Sequence, residues 1–204
     1  MLTLLARAIT TPWQRVVVAV VIAGAVAAVV LWSLATTAGD AALTSAAVTI
    51  VHAYLAVISI VLGVIDGRTH RLPNRIVLPA YPVLLALYAL ACVPNPDWSP
   101  FLRAALAGAA VFGFYLLLHG VRSAGLGAGD VKLAGVTGLA LGWGGWDSVL
   151  VGVVAAFVVG AALALALMAA RRADRHTRIP FGPAMLAGMW IGLIAASGGV
   201  LDGA

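Results

Sequence analysis

Long apolar stretches separated by short polar segments run through this sequence and limit what it can fold into. Each stretch is about 17–25 residues long, the length that an α-helix needs to cross the hydrocarbon core of a bilayer. Backbone groups in lipid must satisfy their own hydrogen bonds, which favours helices. Only 9% of the residues are charged, against roughly 25% in a soluble domain. The sequence therefore predicts an all-α bundle of membrane-spanning helices.

We count about seven such segments and treat residues 1–204 as a single membrane-embedded domain. The fifth segment is short and rich in glycine, so six spans are the alternative, and we expect a tight turn at Trp146–Ser148 after it. The first segment exceeds the apolar part of a signal peptide, roughly 7–15 residues, and we expect it to remain as an uncleaved helix. The segments cover approximately residues 16–37, 43–65, 76–93, 101–121, 131–146, 149–170 and 183–201.

Basic residues mark one side of this bundle. With the N-terminus in the cytoplasm, eleven of the twelve Lys and Arg residues fall on the cytoplasmic side, and Arg103 alone falls near the outer face. Cytoplasmic loops of membrane proteins carry an excess of positive charge. The pattern therefore predicts an N-terminus inside and a C-terminus outside. We attribute the net charge of +5 to this orientation and not to nucleic-acid binding.

Two aspartates lie at the boundaries of apolar segments. Asp66 follows the second segment, and Asp130 precedes the fifth, behind Gly127 and Gly129. The predicted topology brings both to the cytoplasmic ends of their helices. An acid in a membrane domain is costly and marks a functional site by default. Two close carboxyl groups share one proton, so one can activate water while the other polarises a carbonyl group. Such a pair hydrolyses a peptide bond without metal or cofactor.

Five further residues are candidates for positioning a substrate or supporting these motifs. Gly127 and Gly129 permit unusual backbone conformations and a close approach by a second chain, so we expect them to receive an extended substrate. Three roles are open for Lys132: positioning a carbonyl group, pairing with an acid, or following the positive-inside pattern. We expect Asn74 to be the N-cap of the third segment and Pro73 to be its rigid entry.

These residues resemble the motifs of type IV prepilin peptidases. Asp66, with Leu72-Pro73-Asn74 after it, resembles the first aspartate motif of that family. The run Gly127-Ala128-Gly129-Asp130-Val131-Lys132-Leu133 matches the family's Gly-x-Gly-Asp-x-Lys-Leu motif. The segment Ile179-Pro180-Phe181-Gly182-Pro183 resembles the one before the family's last helix. The resemblance covers about residues 50–200.

The resemblance implies an aspartic endopeptidase with Asp66 and Asp130 as its catalytic pair. Such an enzyme removes the short leader from prepilin-like or pseudopilin precursors at the cytoplasmic face of the bacterial cytoplasmic membrane. Its partners would be those precursors and the lipid bilayer, with no cofactor and no metal; the oligomeric state is not predicted. Cys92 is the one cysteine, so the chain lacks the two Cys-x-x-Cys pairs that bifunctional members use for N-methylation. It resembles a peptidase-only member.

Two other classes of protein place acids in a membrane domain. A small proton-coupled transporter or channel would use Asp66 and Asp130 as a proton relay, although such acids usually lie near mid-bilayer among repeats. A structural subunit would use them as assembly contacts. Neither class explains the Gly-x-Gly-Asp-x-Lys-Leu run. Proteases that cut inside membrane helices share Gly-x-Gly-Asp but usually carry a Tyr-Asp acid, whereas Asp66 follows Ile65.

Overall fold

The structure, a computed structural model, describes residues 42–94, 97–121, 126–170 and 180–197. Within these ranges every regular element is an α-helix, as the apolar pattern predicts. The first predicted segment, residues 16–37, lies outside the described residues. The described helices are α1 (Ala42–Thr69), α2 (Asn74–Cys92), α3 (Ser99–Gly120), α4 (Ala128–Gly144), α5 (Trp146–Ala169) and α6 (Gly182–Ser197).

Four of these helices, α1, α2, α3 and α5, are long and apolar enough to cross a membrane. The two shorter helices are α4, with 17 residues, and α6, with 16. All six helices begin and end within a few residues of the second to seventh predicted segments. The chain is therefore a multi-pass membrane protein of the all-α class, as predicted. The count of seven spans and the N-in/C-out orientation stay predictions.

Helix α4 lies at the centre of the bundle and contacts α2, α3, α5 and α6. Every residue from Leu133 to Gly142 is buried. Glycine permits this close packing, because a Cβ atom at Gly138 would lie 2.8 Å from the carbonyl oxygen of Ala107 on α3. Lipid supplies no hydrophobic force between helices, so small residues that let backbones approach hold such interfaces together. The fixed centre of the bundle is thus the helix that carries Asp130.

Helices α5 and α6 pack together in the same way. A Cβ atom at Gly188 would lie 2.5 Å from the carbonyl oxygen of Gly152, so only glycine fits at this crossing. Farther along α5, Gly160 leaves room for the ring of Phe181, whose Cε2 would be 2.7 Å from a Cβ atom at residue 160. Gly160 thus lets the segment before α6 pack closely on α5.

The connection between α4 and α5 differs from the predicted turn at Trp146–Ser148. That prediction is wrong, because Gly145 alone separates the two helices and α5 already begins at Trp146. Gly145 has φ +132°, a backbone conformation that residues with a side chain rarely adopt, so one glycine makes the whole turn. Arg103 holds the end of α4. Its Nε atom donates to the carbonyl oxygen of Gly142 and its Nη2 atom to that of Trp143, each at 2.8 Å.

Candidate active site

Asp66 lies in the last turn of α1, one residue beyond the predicted end of its apolar segment. The helix continues about one turn farther, to Thr69, and it packs on α2 and α6. The residue is only 4% exposed, and its Oδ2 accepts a hydrogen bond from the backbone N–H of Gly182 at 3.1 Å. Gly182 is the first residue of α6. A buried carboxylate needs such a partner, and here another helix supplies it.

Asp130 lies in the first turn of α4, before the apolar part of that helix begins at Val131. Its Oδ2 accepts a hydrogen bond from the backbone N–H of Gly127 at 3.0 Å. The first N–H groups of a helix have no partner within the helix, and a side chain three residues after the N-cap can reach back to them. The Gly-x-Gly-Asp spacing therefore folds the carboxyl group back over the start of its own helix.

Asp66 and Asp130 lie on different helices, within electrostatic range of each other. Burial raises the pKa of Asp130 to about 6, and the Asp66 charge raises this pKa as well. The N–H of Gly127 and the charge of His119 both act to lower the pKa of Asp130. Two carboxyl groups in this relation hold one proton between them more readily than none.

Close packing explains the glycines of the motif better than backbone freedom does. At Gly129 a Cβ atom would lie 3.0 Å from the Cβ of Leu72, in the segment that joins α1 to α2. Gly127 has φ −77°, which any residue adopts, so the expectation of unusual backbone conformations is wrong there. At Gly129 the close approach is made by the protein's own Leu72, and the expectation that these glycines receive an extended substrate stays a prediction.

Lys132 and Asn74 meet at the same end of the bundle. The ammonium group of Lys132 donates a hydrogen bond to the Oδ1 atom of Asn74 at 3.0 Å. The prediction that Asn74 is an N-cap is wrong, because Pro73 occupies the N-cap position and Asn74 is the first helical residue. Pro73 is extended, with φ −71° and ψ 123°, as expected of a rigid entry. Lys132 therefore has a partner from the first aspartate motif, and this partner is an amide and not an acid.

Sequence reasoning missed two residues that complete this site. Gly182 donates a hydrogen bond to Asp66, whereas the sequence indicated only that the segment around Gly182 resembles a family motif. Tyr81 on α2 donates from its hydroxyl group to the carbonyl oxygen of Lys132 at 2.7 Å, and its ring lies against Gly135. No spacing rule predicts either contact, since both depend on how separate helices pack. In the described part of the chain, no three His, Cys, Asp or Glu residues form a group that could hold a metal ion.

Comparison with known proteins finds relatives for more than half of this chain. The profile of the Type IV leader peptidase family matches residues 53–165, more than half of the chain. A prepilin leader peptidase/N-methyltransferase from Stutzerimonas stutzeri is 29% identical over 136 residues, covering 65% of this chain and 45% of that protein. A protein of the same name from Burkholderia pseudomallei (strain K96243) is 34% identical over 137 residues, covering 62% of this chain and 40% of that protein. Leader peptidase HopD of Salmonella typhimurium is 34% identical over 137 residues, covering 64% of this chain and 83% of that protein.

These matches differ in how much of each relative they cover. The match covers less than half the length of the relatives named as both peptidase and N-methyltransferase. It covers most of the Salmonella leader peptidase. No solved structure matches the chain significantly. The family profile extends over both aspartates, and with the match to most of the Salmonella protein it assigns this chain to the type IV leader peptidase family.

Proposed function

We propose that this protein is a membrane aspartic endopeptidase that removes the leader peptide from prepilin-like or pseudopilin precursors. Membership of the leader peptidase family supports the reaction class, and the names of the relatives support the substrate class. The observation that carries the mechanism is that Asp66 and Asp130 lie close enough for the charge of Asp66 to raise the pKa of Asp130. These are the two acids that the family motifs surround, and they come from separate helices.

In the proposed mechanism, the ionised aspartate takes a proton from water while the oxygen of that water attacks the carbonyl carbon of the scissile peptide. The protonated aspartate donates a hydrogen bond to the carbonyl oxygen, which gains negative charge in the tetrahedral intermediate. A proton then passes to the leaving nitrogen as the C–N bond breaks. A pair that shares one proton at rest begins this cycle in the correct protonation state.

Lys132 and Asn74 are proposed to position the substrate, and Gly127 and Gly129 to support the motif. Lys132 is hydrogen-bonded to Asn74 and follows Asp130 by two residues, so we expect this pair to meet a peptide carbonyl group that binds at the acids. Leu72 already occupies the space beside Gly129. In this proposal Gly129 permits the packing of two motifs, with Pro73 directing the chain into α2, and the substrate lies on the other side of the acids.

The proposed location of the site is the cytoplasmic face of the bacterial cytoplasmic membrane. Basic residues around the aspartates support it, since Arg68, Arg71, Arg75 and Lys132 all lie near the ends of helices that carry or adjoin the site. Positive charge of this kind favours the cytoplasmic side. A peptidase-only activity is supported by the single cysteine, Cys92, and by the match to most of a relative whose name gives only leader peptidase.

The test is a cleavage assay in membranes with a prepilin-like substrate, comparing the wild type with Asp66→Asn and Asp130→Asn. Each substitution keeps the size of the side chain and removes its acid, so both variants should lose cleavage while they accumulate normally. Asp147→Asn is the matched control, because Asp147 is an exposed acid in the first turn of α5, after the far end of α4. Full cleavage by either single variant would overturn the two-aspartate mechanism.

If the wild type cuts no precursor, the proposed substrate class fails, and proton flux into vesicles becomes the next measurement. A flux that depends on Asp66 and Asp130 would then favour the transporter alternative. Loss of cleavage in Asp147→Asn as well would indicate that the assay reports folding and not the reaction. The three outcomes are therefore separable in a single set of membranes.

A further inference from the structure

We propose that Gly182 is a positioning residue of this active site, acting through Asp66, and that Phe181 holds Gly182 in place. The inference rests on the proposed function, because it assigns a part in the same reaction to residues outside the aspartate pair. The backbone N–H of Gly182 fixes one oxygen of Asp66. Aromatic residues of α3 and α5, which carry neither aspartate, hold the segment that contains this N–H in place.

The bond between Gly182 and Asp66 joins opposite parts of the chain. The N–H donates to Oδ2 at 3.1 Å, and the two residues are 116 positions apart in sequence. Because Asp66 is nearly inaccessible to solvent, this N–H replaces water as a partner of the carboxyl group. The bond engages Oδ2, so we assign Oδ1 to the attacking water. A single bond of this kind therefore sets the direction from which water is activated.

The site has no space for a side chain at residue 182. A Cβ atom there would lie 2.6 Å from Oδ2 of Asp66 and 3.2 Å from its Cγ. Real Cβ atoms do not approach so closely, and the aspartate side chain is short, so either the carboxyl group or the start of α6 would have to move. Pro180 and Pro183 on either side lack an N–H group and restrict the backbone. Gly182 thus donates its N–H to the Asp66 carboxyl group and, because it has no side chain, leaves room for that group.

Phe181 anchors this segment in an aromatic cluster. Its ring centroid lies 5.5 Å from that of Phe157 on α5 and 6.2 Å from that of Tyr115 on α3. Tyr115 and Phe157 stack on each other at 5.6 Å, and Gly160 leaves the space into which the Phe181 ring fits. Aromatic pairs at such separations attract one another beyond the burial of their area. The cluster therefore fixes the residue directly before Gly182.

The two acids accept similar bonds and differ in their electrostatics. Each accepts one backbone N–H at the start of a helix, Asp66 from Gly182 and Asp130 from Gly127, and such a bond favours the charged form of a carboxyl group. Two titratable groups act on Asp66: His70 from the segment after α1, and Asp130 from α4. Burial, and then the charge of Asp66, raise the pKa of Asp130 to about 6, so we assign Asp130 as the proton donor and Asp66 as the ionised base that activates water.

The experiment compares the wild type with Gly182→Ala in detergent micelles and measures kcat, KM and the dependence of kcat/KM on pH. Displacement of the carboxyl group should lower kcat about 10- to 100-fold and leave KM within about twofold, since the substituted group does not touch the substrate. Loss of the N–H contact should move the acidic limb of the profile to higher pH. The alkaline limb, which Asp130 sets, should stay in place.

Two control variants separate positioning from folding. Gly188→Ala creates a clash of similar severity inside α6, 2.5 Å from the backbone nitrogen of Ala156, away from Asp66. It should lower stability and leave both limbs of the pH profile unchanged. Gly63→Ala lies on α1, where a Cβ atom meets open space, and should behave as the wild type. Equal pH profiles for Gly182→Ala and Gly188→Ala would overturn the proposal, as would an unchanged kcat in Gly182→Ala.

If Gly182→Ala does not fold, Phe181→Leu decides the proposal. That variant keeps an apolar side chain and loses the aromatic contacts, so it should lower kcat by a smaller factor than the one predicted for Gly182→Ala and move the acidic limb in the same direction, to higher pH. A wild-type profile in Phe181→Leu would then overturn the proposal. Failure of the proposed function appears separately, because the wild type would then cut no precursor, and failure of the two-aspartate mechanism would appear as cleavage by Asp66→Asn.

Discussion

Lys132 and Asn74, 58 positions apart in sequence, are joined by a hydrogen bond of 3.0 Å between the lysine ammonium group and the asparagine Oδ1 atom. Lys132 belongs to the Gly-x-Gly-Asp-x-Lys-Leu run, and Asn74 to the segment that follows Asp66. The bond links the fifth residue of α4 to the first residue of α2. The two motifs thus form one surface, and each holds the other in position.

We expect Asn74→Ala and Lys132→Ala each to lower kcat/KM by about 3- to 10-fold, as the loss of an exposed hydrogen bond to a charged donor suggests. Because the residues act as a pair, the double variant should lose little more than either single one. The measurement is a double-mutant cycle on cleavage rates. Strictly additive losses would show that Lys132 and Asn74 act independently, and Lys132→Arg should recover part of the activity.

The activity should fall as the pH rises above about 6. Burial and the Asp66 charge raise the pKa of Asp130 to about 6, and in the proposed mechanism Asp130 must carry a proton to donate it. Above this value the protonated fraction falls about tenfold per pH unit, and kcat/KM should follow it. Initial rates between pH 5 and 8.5 in micelles test this. A rate that still increases at pH 8 would contradict the assignment of Asp130 as the donor.

The same raised pKa predicts how stability changes with pH. Between about pH 4, where an ordinary aspartate ionises, and about pH 6, the folded protein holds a proton that the unfolded chain has released. The contribution of Asp130 to stability should therefore decrease as the pH rises through this window. Thermal unfolding of the wild type and of Asp130→Asn at several pH values tests it. The decrease should be smaller in the variant, and identical slopes would contradict the prediction.

Substitution of Gly129 should damage the site through Leu72. A Cβ atom there would lie 3.0 Å from the Cβ of Leu72 and 3.5 Å from its backbone nitrogen, so the segment after α1 must shift. We expect Gly129→Ala to lower cleavage about tenfold or more. The double variant Gly129→Ala/Leu72→Gly should recover part of it, because it removes the Cβ of Leu72 that the new methyl group would meet. Gly67→Ala, where a Cβ atom meets open space, is the control and should retain cleavage.

The sequence predicted the helices well because length and hydropathy determine them. Each described helix coincides with an apolar segment, and the paired motifs pointed to Asp66 and Asp130 before any geometry was known. The short turn after α4 could not be placed by hydropathy, since Gly145 and Trp146 are both compatible with either helix. Only the positive φ of Gly145 decides where the turn lies.

Contacts between helices distant in sequence were beyond prediction. The bond from Gly182 to Asp66 and the bond from Tyr81 to Lys132 depend on the rotation of each helix about its axis. Uniformly apolar helices give little periodic signal from which such rotation could be derived. Asn74 illustrates the same limit. Its type and position suggested a helix cap, and only the approach of Lys132 showed another partner.

The last prediction concerns Arg103, which holds the far end of α4 by donating to the carbonyl oxygens of Gly142 and Trp143. Arg103→Met keeps the apolar stem and removes both donors, which should lower the free energy of unfolding by about 1–3 kcal/mol. Arg103→Lys should recover part of the lost stability.

Arg75→Met removes an exposed arginine on α2 and serves as the control for lost charge. Thermal unfolding in micelles is the measurement, and equal stability of Arg103→Met and Arg75→Met would contradict it. Because Arg103 caps the end of α4 opposite Asp130, the folded Arg103→Met protein should still cut at the wild-type rate at low temperature.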